Sequence, residues 1–337
     1  MNKRLISILK YLFFLGLGIF LVWWSLHQIP DDEWDKFKEA LAKAHYWLVI
    51  PVFLILSTSH LLRALRWKTL MEPMGYHPSL RNTFFAVMIG YLANLAVPRL
   101  GEVLKCTILA KYEKVPAEKI IGTIVAERVF DVLCLGLIFL LALILQFDVV
   151  TGSYQHVKSL RAPHPEAPMS TTKLVIILVI ALAIAIYVIR LIVTKKWRIL
   201  ITNIKKIIAG IWEGLITARK LKHKWAFILY SISIWALYIA GTWIGFHATD
   251  GTADLGFKEA VSCLAFASIG MIITPGGIGA YAFLLAKVLE QNDVTYAIGI
   301  ANGTLQWFAQ CIIVLVVGGF CLVLLPFYNK QKKDESS

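Results

Sequence analysis

Along this chain the apolar positions come in long unbroken runs, separated by short polar connections that alternate in charge. Amphipathic spacing is nearly absent. Runs of this length predict helices that cross a lipid bilayer. Six full spans follow from them, at Ile6–Trp24, Tyr46–Leu65, Pro116–Leu145, Leu174–Val193, Trp225–His247 and Thr295–Pro326. Two further runs stop short. Thr83–Val97 ends at Pro98 with Gly101 close behind, and Ala260–Thr274 ends at Pro275-Gly276-Gly277-Ile278-Gly279. Proline removes a backbone donor and glycine breaks the turn. Each run is therefore expected to turn back as a short helix, Glu102–Lys111 in the first case and Ala280–Glu290 in the second. The predicted fold class is an all-α polytopic membrane protein, with six spans and two re-entrant broken-helix hairpins in one integral membrane domain over residues 1–337.

The two hairpins align as an internal repeat. LANLAVPRLGEVLKCTILAKYEKVPAEKIIG and IGMIITPGGIGAYAFLLAKVLEQNDVTYAIG share an apolar run, a Pro, a following Gly, Leu-Ala-Lys, a polar loop and Ile-Gly. The first repeat covers about 82–146 and the second about 259–326.

Charge orients the chain. Lys3 and Arg4 precede the first span, and the next loop is acidic, with Asp31, Asp32, Glu33, Asp35 and Glu39. Arg63, Arg66, Lys68 and Arg81 crowd the connection after the second span. By the positive-inside rule both termini are cytoplasmic, and the two hairpins enter from opposite faces. The segment 148–172, rich in Pro and Ser/Thr, reads as an external loop. Residues 197–221 carry apolar positions at three- and four-residue spacing among many lysines. They read either as an amphipathic helix lying on anionic inner-leaflet lipids or as a plain basic connector. The first apolar run is too long for a secretory signal and has no small-residue cleavage site after it, so it is expected to remain as a span.

Composition adds limits. Of 337 residues, 58% are hydrophobic and 16% charged, with a net charge of +13; the mean hydropathy is +0.69. The positive excess sits in particular loops, so it reports topology and lipid contact rather than nucleic-acid binding. No GxxxxGK[ST] loop, HExxH pattern or Cys/His metal spacing occurs, and no cofactor or metal is expected. The five cysteines lie singly within apolar runs and read as small core residues.

What remains is charge inside the membrane, where each ionised residue costs about 2.5–3.5 kcal/mol. Between Asn94 and Asp131 lie Arg99, Glu102, Lys105, Glu127, Arg128 and Asp131. The breaks would aim two helix N-termini at the midplane, a setting for an anionic group. Arg99, Lys105 and Arg128 would add full charge. Gly101, Gly276, Gly277 and Gly279 are expected to leave free N–H groups open to a headgroup. Arg128 and Asp131, at i,i+3, form either a structural ion pair or part of substrate handling. Glu102 reads equally as a helix cap. Glu102, Glu127 and Asp131 are the candidate proton carriers. Arg63 and Arg66 read as cytoplasmic anchors or as ligands for a phosphate at the inner interface.

Four segments carry a resemblance: RALRWKTLMEPMG, NLAVPRLGEVLK, VAERVFDVL and TPGGIGAYAFLLAKV. In that order they resemble the lysylphosphatidylglycerol synthase transmembrane region, the flippase-like family that includes the N-terminal half of the multiple peptide resistance factor. The resemblance covers essentially the whole chain. It implies a bacterial or archaeal cell-membrane protein related to phospholipid flippases, and it marks Arg63, Arg66, Trp67, Pro98, Gly101, Glu102, Arg128, Asp131, Pro275, Gly276, Gly277 and Gly279 as motif positions. Lys105 stands where the family often has Arg. The chain stops at Ser337 without an aminoacyl-transfer domain, so synthesis of an aminoacyl lipid is not expected.

The expected function is transport, by a flippase or scramblase, of an anionic or zwitterionic phospholipid or lipid-linked phosphate between leaflets, with no enzymatic activity. The alternatives are an integral membrane enzyme acting on lipid-linked phosphate or sugar, and a non-transporting scaffold. Expected partners are the lipid substrate and anionic inner-leaflet lipids, together with a second copy of the chain or a lipid-modifying enzyme.

Overall fold

The computed structural model describes residues 3–97, 99–147 and 221–334. The expected external loop at 148–172, the expected span at 174–193, all but the last residue of the basic segment at 197–221, and Pro98 lie outside them. The described residues form helices joined by short turns, without strands. In chain order these are α1 (Lys3–His27), α2 (Trp34–Ala42), α3 (Val49–Met71), α4 (Leu80–Ala96), α5 (Leu100–Glu113), α6 (Ala117–Leu145), α7 (Lys224–Phe246), α8 (Phe257–Ile273), α9 (Ala280–Glu290) and α10 (Tyr296–Asp334).

Four stretches among the described residues are single helices long and apolar enough to cross a bilayer: Tyr46–Met74, Ala117–Leu145, Lys224–Phe246 and Tyr296–Lys330. A fifth candidate is Leu12–His27, which continues into Asp31–Ala42 after an 88° bend. The protein is thus an all-helical, multi-pass membrane protein.

Two expected boundaries move. The second span does not stop at Leu65; α3 runs on to Met71 and takes Arg66 as well as Arg63 into the helix. The last helix passes through Pro326 and continues to Asp334. Within a bundle, the backbone groups that a proline frees can be satisfied locally, so the helix need not end there.

Hydrogen bonds between elements sort the helix ends into two sets. At one end Ser79 Oγ donates to the Glu113 carboxylate, and the side-chain amides of Asn82 and Asn329 exchange hydrogen bonds at 2.9 Å. His223 lies 3.9 Å from Glu72 there. At the other end the His45 N–H donates to the Ala248 carbonyl over 2.9 Å, and Gln146 Nε2 donates to Asn292 Oδ1 over 3.0 Å. The α4–α5 pair therefore opens at the Glu113 end and the α8–α9 pair at the Asn292 end.

Each pair turns where the sequence places its break. After Ala96, Val97 is extended and Arg99 takes a left-handed conformation at φ 68° before α5 begins. After Ile273, Thr274 is extended and Gly276, Gly277 and Gly279 all have positive φ. α10 packs against both hairpins, against α4 on one side and α9 on the other, while α3 packs against α7. These contacts are close because small residues sit at them. A Cβ on Gly318 would lie 2.9 Å from Leu92 Cβ, and one on Gly303 would lie 2.9 Å from Ala282 Cα.

The buried apolar residues gather in two main groups. One, with Trp67, Met71, Met88, Leu109 and Ile120, lies among α3, α4, α5 and α6. The other, with Ile138, Phe246, Ala265 and Leu285, lies among α6, α7, α8 and α9. Cys106, Cys263 and Cys321 are buried in this packing, and Cys134 and Cys311 are partly so.

Candidate functional site: a charged floor beneath an apolar cavity

Helical spacing builds the charged cluster. Arg63 and Arg66 are three residues apart on α3, and Glu127 and Asp131 are four apart on α6, so each pair shares one face of its helix. The two faces meet. Asp131 receives Arg63 Nη1 and Arg66 Nη2, each at 2.6 Å. Glu127 receives Arg63 Nη1 at 2.9 Å and lies 3.5 Å from Arg66 Nη2. The outer nitrogens of the arginines reach α7, where Arg63 Nη2 donates to Tyr238 Oη and Arg66 Nη1 to Ser231 Oγ, both over 3.3 Å.

Arg66 and Glu127 are fully buried and Arg63 is 5% exposed. Arg63 and Arg66, expected as cytoplasmic anchors or as phosphate ligands at the inner interface, are instead buried against α6. Two carboxylates on α6 compensate them there, and the continuation of α3 past Leu65 keeps Arg66 in the helix.

Lys105 completes the cluster from α5. The residue is 1% exposed, and its ammonium lies 3.8 Å from Glu127 Oε2 and stands 5.2 Å over the Trp67 ring and 5.4 Å over that of Tyr91. Its stem passes Gly90 so closely that a Cβ there would be 3.0 Å from Lys105 Cγ. Neither Lys105 Nζ nor Glu127 Oε2 makes a hydrogen bond among the described residues. Three buried cations thus face two carboxylates, and the cluster carries surplus positive charge.

Arg128 is different. Its side chain is 44% exposed, and its contacts are longer, 3.3 Å to Glu102 and 3.8 Å to Asp131. The expected pairing of Arg128 with Asp131 is therefore the weakest contact Asp131 makes, because the arginines of α3 reach that carboxylate first.

Above this floor lies a cavity of about 600 Å³. Arg63, Arg128 and Asp131 form its base with His60 and Tyr91. The walls are mostly apolar, including Leu48, Val52, Leu56 and Leu135, and the lining extends toward the Asn292 end as far as Tyr46 and Ala248. From Val49 to Arg63 the cavity follows α3 for about 21 Å at 1.5 Å per residue. That is roughly two thirds of a hydrocarbon core of ~30 Å. Both hairpins reach the cavity at their tips, through Leu95 and Gly276.

The glycines and Arg99 depart from expectation. Gly101 is packed against α4: a Cβ there would collide with the Gly90 carbonyl, and its N–H donates to Asn94 Oδ1 over 2.7 Å. A Cβ on Gly277 would run into the Met271 sulfur, and one on Gly279 would lie 2.6 Å from the Gly18 carbonyl of α1. Gly276 lines the cavity, but its carbonyl accepts from Trp307 Nε1 over 2.7 Å, and a Cβ there would meet Leu95 at 3.2 Å. These positions serve tight turns and close helix contacts, and the N–H groups of Gly101 and Gly277 are already bonded, to Asn94 Oδ1 and the Thr274 carbonyl. Arg99 is exposed at its hairpin tip and is not among the residues that line the cavity.

Of the sequence candidates, then, Arg63, Arg128 and Asp131 come together at the cavity, with Arg66, Glu127 and Lys105 behind them and Glu102 beside Arg128. His60, Tyr91 and Tyr238 are additions; His60 sits one helical step before Arg63, which was its available signal. Among the described residues no three His, Cys, Asp or Glu side chains converge to hold a metal ion.

No solved structure matches the chain. A UPF0104 membrane protein of Methanocaldococcus jannaschii is 22% identical over 311 residues, which cover 89% of this chain and 91% of that protein. The sequence pattern of the lysylphosphatidylglycerol synthase TM region matches residues 7–326. With nearly all of its helices and every charged residue of the floor inside that match, the chain belongs to the lysylphosphatidylglycerol synthase TM region family.

Proposed function

We propose that the protein is a flippase or scramblase that moves a lipid with an anionic or zwitterionic phosphate headgroup between the leaflets of the cell membrane, without chemically altering it. The observation that carries this reading is the cavity. It is deep and apolar along its walls, as acyl chains require, and it ends on a floor with surplus positive charge, as a phosphate requires. A half-exposed arginine at that floor has donors to spare.

Arrangement supports the same reading. The two broken-helix hairpins open at opposite ends of the molecule and meet tip to tip, as Leu95 and Gly276 do. In this reading they are inverted repeats, an architecture that lets a central site face the two leaflets in turn. The four long helices and α1 account for five crossings in this reading. Lysine-rich connections put the Glu113 end and both termini in the cytoplasm. The cavity then faces outward. Alongside the lipid, a second copy of the chain or a lipid-modifying enzyme is the partner class this arrangement would serve.

The test is lipid exchange in proteoliposomes. Fluorescent phosphatidylglycerol and phosphatidylcholine are placed in one leaflet, and their loss to a membrane-impermeant quencher is followed. Transport predicts exchange faster than in protein-free vesicles, with lipids recovered intact. Rates equal to protein-free vesicles for both headgroups would refute the reading, and conversion of the lipid would replace it with an enzymatic one.

A further inference from the structure

Four cations surround the floor of the cavity, and three of them have fixed partners. Arg63 and Arg66 are held at 2.6 Å by Asp131, and Lys105 is sealed between Trp67 and Tyr91. Arg63 also lines the cavity, but Arg128 alone among the four is half-exposed there and loosely held. Its nearest carboxylate, Glu102, is 3.3 Å away and 32% exposed. Asp131, its other neighbour, is already occupied by the α3 arginines.

Glu102 has no second cation of its own among the described ion pairs, and its Oε2 lacks a hydrogen bond. It also stands in the first turn of α5, whose N-terminus has no side-chain cap. A carboxylate is stabilised in that turn whether or not a salt bridge forms. Breaking the Arg128–Glu102 pair therefore leaves every other contact of the cluster in place and leaves Glu102 in a favourable position.

We propose that Glu102 is a tethered counter-ion which the phosphate of the headgroup displaces from Arg128, so that this carboxylate sets how strongly the cavity prefers anionic over zwitterionic lipids. This rests on reading the cavity as a headgroup site. Phosphate and Glu102 compete for the same guanidinium. A phosphate can approach it bidentately in the cavity, whereas Glu102 reaches it through one oxygen. A zwitterionic headgroup gains less, because its own cation meets the surplus positive charge of the floor.

The experiment measures binding rather than transport. The full chain in phosphatidylcholine nanodiscs is titrated with dihexanoyl phosphatidylglycerol, dihexanoyl phosphatidylcholine and sn-glycerol 3-phosphate. Removing the competitor tightens phosphatidylglycerol binding by about two- to fivefold in E102Q, the scale of a partly exposed ion pair, and leaves phosphatidylcholine within error. R128Q weakens phosphatidylglycerol about tenfold or more, and E102Q/R128Q behaves as R128Q, because the competition has lost its object. E102A gives the same direction as E102Q.

Weaker or unchanged phosphatidylglycerol binding in both Glu102 variants, with thermal stability retained, overturns the proposal, as does additivity in the double variant. A gain for glycerol 3-phosphate as large as for the lipid keeps the displacement and overturns the lipid reading. Displacement without leaflet exchange likewise leaves this inference standing and removes the transport function.

Discussion

Replacing Asp131 by Asn is the sharpest perturbation of the buried cluster. Asp131 holds two guanidinium groups at 2.6 Å, and at an effective dielectric constant of 20 each contact has a gross attraction of roughly 6 kcal/mol. Most of that is offset by the several kcal/mol needed to desolvate each ion. What the variant exposes is the uncompensated remainder, since Arg66 is fully buried and Glu127, at 3.5 Å, is the one carboxylate left to it among the described ion pairs. The expected loss is about 3–5 kcal/mol of stability. Adding Arg66→Met, which removes the stranded charge, should recover a large part of it. Adding Arg128→Gln should recover nothing, because Arg128 is half-exposed and 3.8 Å away. Unfolding free energies from reversible denaturant titration in mixed micelles would measure all four proteins. If D131N/R128Q were the rescued pair, or if D131N/R66M were no more stable than D131N, the assignment of partners would be wrong.

Three further outcomes are expected. Gly277→Ala should destabilise the protein by about 1–2 kcal/mol from its positive φ alone, and more from the Met271 contact. Met271→Ala should restore the steric part but not the backbone part, as thermal unfolding would record. Cysteines introduced at Lys114 and at Asp293, in a background free of native cysteine, should react with impermeant maleimide from opposite sides of sealed vesicles; labelling from one side would contradict the two-ended arrangement of the hairpins. Trp67→Phe removes the 2.9 Å hydrogen bond to Thr123 Oγ1 and leaves a smaller ring beside Lys105. It should cost about 1–3 kcal/mol, and Thr123→Val alone should cost less, read by the same titration.

The breaks of both hairpins were legible because proline and glycine act locally. Pro275 through Gly279 reads as a turn without knowledge of any neighbour. The intramembrane charges of α6 were equally visible, since Glu127 and Asp131 interrupt an otherwise apolar run. Their partners were not. Arg63 falls inside the expected span and Arg66 just beyond its boundary at Leu65, and only contact with α6 shows that both arginines are buried. Two basic residues at i,i+3 on one helix and two acidic residues at i,i+4 on another were the available sign, but pairing between helices leaves no local periodicity. The glycines misled for a related reason. An achiral residue at a turn signals that a Cβ would not fit, yet it does not tell whether protein or ligand occupies that space, and at Gly101, Gly277 and Gly279 it is protein.

α10 touches α9 at Gly303 and α4 at Gly318, fifteen residues further along. Without side chains at these points, both hairpins lie directly against the backbone of one helix. Because both lean on a single rod, a tilt of one would be passed to the other as a lever passes it across a fulcrum. Under the proposed transport, closing the Asn292 end and opening the Glu113 end would then be one movement.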